Sequence, residues 1–292
     1  MNTLMRDFYE RTFAPQREQS WFMIIGSYIV NCILVIALLF FAYPYGWFNP
    51  IVFATKGIIN STLLGSLAIF LVILVFMIRL AGKVKFTNMG LVIRQIPIGL
   101  LVLGVIYIAI NLILYIVNVI LKITPIWYPY WVDVGSFSVS LGFLIAQIFG
   151  NVLFEEVYYR GLLWGQLSIK FTKIFKNKPV LGLNIGALVA NLLFALMHIP
   201  NRVLNGILGW NLILSLFIVF GLGYLFSLAY LITDSLFVSM ALHILINVSF
   251  ALFFPIYDTS MLCIMISFVM LLIWTILKLT KSKSAKIMKL EK

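Results

Sequence analysis

The sequence is short of charge. Of its 292 residues only 10% are Asp, Glu, Lys or Arg, while 63% are apolar. Soluble domains carry about 25% charged and about 45–50% apolar residues. That shortage excludes a water-soluble fold, because no packing arrangement hides so much apolar surface. Cysteine is nearly absent as well. Cys32 and Cys263 both lie inside apolar runs without metal-ligand spacing, which excludes a disulfide framework and a thiolate metal centre. No polar stretch is long enough for a second, soluble domain, and there is no fixed-period repeat, low-complexity segment or Pro- or Ser-rich linker. Nor does the chain open on the charged, apolar and small-residue progression of a cleaved signal peptide, so the first span is expected to direct insertion itself. Acidic residues number nine and histidines two. Each one inside an apolar run therefore stands out.

What is present is a series of apolar runs, at about residues 22–43, 57–78, 96–121, 136–167, 180–199, 207–232, 235–255 and 259–277, each bounded by Pro, Gly, Asn or charge. They predict an all-α, polytopic membrane protein with about eight transmembrane helices, forming one membrane domain over residues 1–292. The fourth run exceeds the hydrocarbon thickness, so residues 161–168 are expected to emerge into headgroups or cytosol. The first 20 residues interleave Arg6, Asp7, Glu10, Arg11, Arg17 and Glu18 with Phe8, Tyr9 and Phe13, a pattern that suits a short helix lying at the membrane interface.

The net charge of +12 does not point to nucleic acid, because the positive residues fall in short loops between the runs. Arg6, Arg11, Arg17, Arg79, Lys83, Lys85, Arg94, Lys170, Lys173, Lys176, Lys178, Lys278, Lys281, Lys283, Lys286, Lys289 and Lys292 fall on one side. Lys56, Lys122 and Arg202 fall on the other. Cytoplasmic flanks retain positive charge during insertion, which places both termini in the cytosol of a cell-membrane protein. The lysine-rich tail is most simply a stop-transfer flank that also touches anionic lipid.

An ionisable group at bilayer depth costs roughly 2.5–3.5 kcal/mol on insertion scales and is a functional candidate by default. Glu155 and Glu156 are adjacent in the fourth run, followed by Arg160; His198 ends the fifth and His243 lies in the seventh. Glu156 and Arg160, four apart, share a helical face and form an internal ion pair. Glu155 lies about 100° away on an α-helix without an intrahelical partner, which suits a group that takes up and returns a proton. Phe194, one turn before His198, is placed to pack against that ring and orient it. Asn247, one turn after His243, shares its face, where the two offer hydrogen-bond donors to a developing oxyanion. A single intramembrane histidine is most simply a bond between helices. The conjunction is what carries the chemistry.

In this order on three helices, Glu155-Glu156-x-x-x-Arg160, Phe194-x-x-x-His198 and His243-x-x-x-Asn247 resemble the three motifs of the CAAX protease and bacteriocin-processing (CPBP, or Abi) family, and the text from Phe154 to Leu167 and from Leu231 to Asn247 fits as well. The resemblance covers about residues 140–255, the expected catalytic core. It implies an intramembrane endopeptidase related to the eukaryotic type II CAAX prenyl protease. Glu155 and His198 would activate a water, His243 and Asn247 would stabilise the oxyanion, and Glu156, Arg160 and Phe194 would support the site. Only the resemblance says that the bond is a peptide.

A metal-free glutamate mechanism is expected, without a cofactor, since the sequence has no HExxH pair. Two imidazoles and a carboxylate also permit Zn²⁺ with a water in the fourth position. Two other classes fit parts of the sequence. One is a non-catalytic bacteriocin-immunity or regulatory protein that binds a partner. The other is a transporter with a proton-coupled Glu/His relay, which matches the buried charges but not the family text. The expected partner is a membrane-associated peptide or lipidated protein tail delivered from the cytoplasmic side.

Overall fold

The computed structural model describes residues 2–128, 134–248, 251–253 and 259–290, with the side chains of residues 2, 134–136 and 281–290 outside that description. Lys281, Lys283, Lys286, Lys289 and Lys292 of the basic tail therefore lie beyond the described side chains. Seven helices are long and apolar enough to cross a membrane. We number them α1 (Trp21–Ala42), α2 (Ser61–Ala81), α3 (Ile96–Ile120), α4 (Phe137–Ile174), α5 (Pro179–Leu204), α6 (Gly209–Thr233) and α8 (Thr259–Leu290), with the short α7 (Leu236–Asn247) between the last two. Local chemistry marks several starts. The Ser20 hydroxyl accepts from the Met23 amide and the Asn60 side chain from the Leu63 amide, each satisfying a first-turn donor. Proline opens α3 and α5, where a missing N–H costs nothing.

The chain is a multi-pass membrane protein whose two ends are defined by contacts. At one end Asp234 receives Arg11 at 3.1 Å and Lys278 at 2.6 Å, and Glu18 pairs with Lys170 at 2.6 Å and with Lys173. There the Gln95 side chain donates to the Asp234 carbonyl and that of Gln19 to the Gly82 carbonyl. The basic groups expected on one side are thus gathered on one end where their side chains are described. At the opposite end the Tyr128 amide donates to the Leu252 carbonyl at 2.8 Å, and Trp127 stacks on Phe253 with centroids 5.1 Å apart.

These contacts correct the reading of the seventh apolar run. A helix was expected across residues 235–255, but α7 stops at Asn247, and Val248 is extended. Twelve residues rise only about 18 Å, short of a bilayer's roughly 30 Å. The traverse is still made, because Asp234 lies at the basic end and Leu252 at the other. Non-helical backbone is tolerated at that depth where protein surrounds it, and residues 238–245 of α7 are all buried.

The region around residues 161–168 also departs from expectation. It is buried, and the N-terminal segment wraps it instead of lying in the interface. Phe8 and Phe13 are fully buried, with Phe8 stacked on Trp164 at 5.5 Å and edge-on to Tyr230 at 5.1 Å. The Gln16 amide bridges the Asn88 and Gly161 carbonyls at 2.8 Å each. A side chain at Gly161 would place its Cβ 2.1 Å from the Met89 carbonyl oxygen, so only glycine allows this loop to dock.

Two packed groups build the interior. One joins the N-terminal segment, α1, α2, α4, α5 and part of α6; the other joins α3, the rest of α6, α7 and α8. A small cluster of Val152 from α4 with Met240 and Ile244 from α7 sits where they meet. The ionisable residues lie on that seam.

Candidate active site

The carboxylates ride on a helix that is locally widened. Around them α4 takes up i→i+5 backbone bonding over Gln147–Asn151 and again over Glu156–Leu163, an irregularity that is frequent at functional sites. Glu156 and Arg160 pair at 3.2 Å with side chains 0% and 1% exposed. The guanidinium lies 4.1 Å from the centre of the Phe194 ring and 5.2 Å from that of Phe226. Two aromatic faces thus contribute where water is absent.

Glu156 does more than hold Arg160. Its Oε1 is 2.8 Å from His243 Nδ1, and its Oε2 is 2.6 Å from the Ser239 hydroxyl, which also lies 2.9 Å from the Phe226 carbonyl. A carboxylate facing a guanidinium accepts, so His243 Nδ1 carries the proton and its Nε2 points away. Nε2 in turn lies 3.4 Å from Glu155 Oε2. The two adjacent glutamates, expected to serve separate faces, therefore clasp opposite nitrogens of one imidazole. Phe226 stacks on that ring at 4.3 Å.

His198 approaches from α5. Its Nδ1 is 2.8 Å from the Phe194 carbonyl. A carbonyl only accepts, so Nδ1 donates and Nε2 is the free nitrogen. The Phe194 ring packs edge-on to His198 at 4.8 Å and to His243 at 6.1 Å. Phe194 thus touches both imidazoles and Arg160, and it is the backbone carbonyl that sets His198's tautomer. Glu155 and His198 line one cavity of about 300 Å³, walled further by Gln147, Asn151, Ser66 and Tyr43 among others.

Asn247 stands apart from this group. It is exposed, and its Nδ2 donates to Gln147 Oε1 at 3.0 Å. Gln147 lines the cavity, so Asn247 reaches the site through that neighbour and does not share a partner with His243. Three polar residues of the site escaped the sequence reading. Gln147 and Asn151 precede Glu155 by eight and four residues, and Ser239 precedes His243 by four. Helical spacing was the signal available for each, but uncharged side chains are too common for it to select them.

The depth of these residues along their helices differs, and the fold explains how they meet. Gly161 of α4 touches Met89 at the basic end, so the rest of α4 and the start of α5 project about 20 Å past that level as a paired hairpin. His243, only seven residues into α7, then meets Glu155 and Glu156 at the same height.

Residues 137–249 match the family model for Rce1-like type II CAAX prenyl endopeptidases. Comparisons with curated proteins and with solved structures return no match. The Rce1-like stretch spans α4 to α7 and holds Glu155, Glu156, Arg160, Phe194, His198, His243 and Asn247. The family resemblance read from the three motifs is shown over it. Val35, Leu38, Leu39 and Tyr43 of the first span and its connection, with Thr62, Ser66 and Ile69 of the second, complete the cavity wall from outside the match. For a metal the arrangement is poor. Glu156 is already engaged by Arg160, Ser239 and His243, and among the described residues no three His, Cys, Asp or Glu are grouped to hold an ion.

Proposed function

We propose that the chain is an intramembrane endopeptidase that hydrolyses a peptide bond in a membrane-associated peptide or lipidated protein tail. One observation carries the reading: Glu155 contacts His243 on one side and shares a polar, water-sized cavity with His198 on the other. That is the geometry a general base needs, a carboxylate within reach of both a water and the groups that receive charge.

In the attack, the water oxygen bonds to the carbonyl carbon and its proton passes to Glu155, while His198 Nε2 accepts the second O–H and holds the water in place. The carbonyl π electrons move onto oxygen. His243 Nε2 and the Asn247 amide are the donors on that side, and Asn247 retains one Nδ2 proton beyond the one given to Gln147. An Nε2–H on His243 requires the imidazolium, because Nδ1–H is committed to Glu156. Two carboxylates, one guanidinium and one imidazolium then sum to zero, the arrangement a site without bulk water favours. As the C–N bond breaks, Glu155 returns its proton to the amine.

The family match supports the peptidase chemistry, and the grouping of residues supports a route without a metal. Comparative peptidomics of membranes carrying wild type, Glu155→Gln and His198→Ala tests it. A product found only with wild type is expected. Identical peptide profiles, with Glu155→Gln retaining the biological effect, would replace catalysis by partner binding.

A further inference from the structure

The catalytic cavity leads away from the basic end. Measured at about 1.5 Å per residue from Gly161, which sits level with Met89 at that end, Glu155 is about 9 Å deep and Gln147 about 21 Å. Counted the same way from Trp21, Val35, Leu39 and Tyr43 lie about 21, 27 and 33 Å deep; from Ala81, Ser66 and Thr62 lie about 23 and 29 Å deep. Glu155 is the innermost group of the lining, and every other wall residue on α1, α2 and α4 lies nearer the opposite end. Toward the basic end the path is blocked. Tyr158, Tyr159 and Arg160 are at most 1% exposed, and Phe8 and Phe13 of the N-terminal segment seal the level beyond them at 0%.

We infer that water and substrate enter from the face opposite the basic one. Since the basic end is the cytoplasmic one by its charge, the substrate is a membrane-anchored peptide whose scissile bond lies on the translocated side. A tail offered from the cytosol, the delivery expected from the sequence, meets the sealed end. The wall is polar at Gln147, Asn151, Ser66 and Thr62 and apolar at Val35, Leu39 and Ile69. An extended segment with one apolar and one polar edge fits it. The inference rests on reading this cavity as the catalytic one, but its test does not need turnover.

The experiment is side-resolved labelling of full-length protein in membranes. Thr62→Cys and Asn201→Cys, at the cavity's outer rim, are compared with Thr87→Cys at the basic end, using a membrane-impermeant maleimide on intact cells and on inside-out vesicles. Mass spectrometry reads the labelled site, so Cys32 and Cys263 stay in place. The expected result is modification of positions 62 and 201 in intact cells and of position 87 only in inside-out vesicles. Labelling of 62 and 201 from the same side as 87, or from neither side, overturns the inference. Correct sidedness with no wild-type-specific cleavage product would instead count against the peptidase reading alone.

Discussion

Substitution of Glu156 separates the buried ion pair from the chemistry beside it. At 3.2 Å two unit charges attract by about 5 kcal/mol at an effective dielectric of 20. Desolvation offsets much of that in the intact pair. It offsets nothing once one partner is gone, and truncating one member of a buried pair costs about 3–5 kcal/mol. Glu156→Gln leaves Arg160, 1% exposed, with the Gly223 carbonyl at 3.4 Å and two ring faces as its remaining partners. Arg160→Met leaves Glu156 with His243 and Ser239. Each single variant is expected to lose about 3–5 kcal/mol, whereas the double variant buries no unpaired charge and should recover about 2–3 kcal/mol of the summed loss. SDS-titration unfolding of the purified proteins measures the cycle. Cleavage should stay lost in the double variant, because His243 then has only a neutral amide at Nδ1. Additive single effects below about 1 kcal/mol would refute the reasoning.

Asn247→Ala should lower kcat by about 10²–10³-fold, the usual worth of one oxyanion donor, with little change in stability, since the side chain is exposed and bonds only Gln147 among the contacts described. Steady-state cleavage of the identified product's precursor checks this, and an effect confined to KM would contradict it. Cleavage by purified protein should survive EDTA, while loss of activity restored by added zinc would reverse the metal-free reading. The Glu18 carboxyl is held below the ordinary carboxylate range by hydrogen bonds from Lys170 and then Lys173. A depressed folded pKa contributes stability that is present above the unfolded value near 4.5 and lost as pH falls through the folded one. The pair is partly exposed, so Glu18→Gln should remove less than about 1 kcal/mol and flatten the acid limb of a melting-temperature profile between pH 6 and 3.

The membrane class and the runs that became α1 to α6 and α8 were legible because bilayer insertion is decided locally, by the apolarity of some 20 consecutive residues. The motif residues were legible for a related reason. Glu155, Glu156, Arg160, His198 and His243 are expensive in such runs, and their cost marks them without any knowledge of neighbours. The Glu156–Arg160 pair followed from helical spacing alone.

Other features depended on contacts between distant segments, which periodicity does not encode. The seventh run breaks at Asn247 because surrounding protein satisfies α7's exit. Phe8 and Phe13 are buried against Trp164 and Tyr230 because the α4–α5 hairpin offers a protein surface where lipid was expected. Two adjacent glutamates meet one imidazole because that hairpin projects and brings α7 level with it. The local cost of placing a residue in lipid thus determined what the chain is and which residues to suspect, whereas the relative heights and packing of the helices, set by tertiary contacts alone, decided which atoms face each other and toward which side the cavity runs.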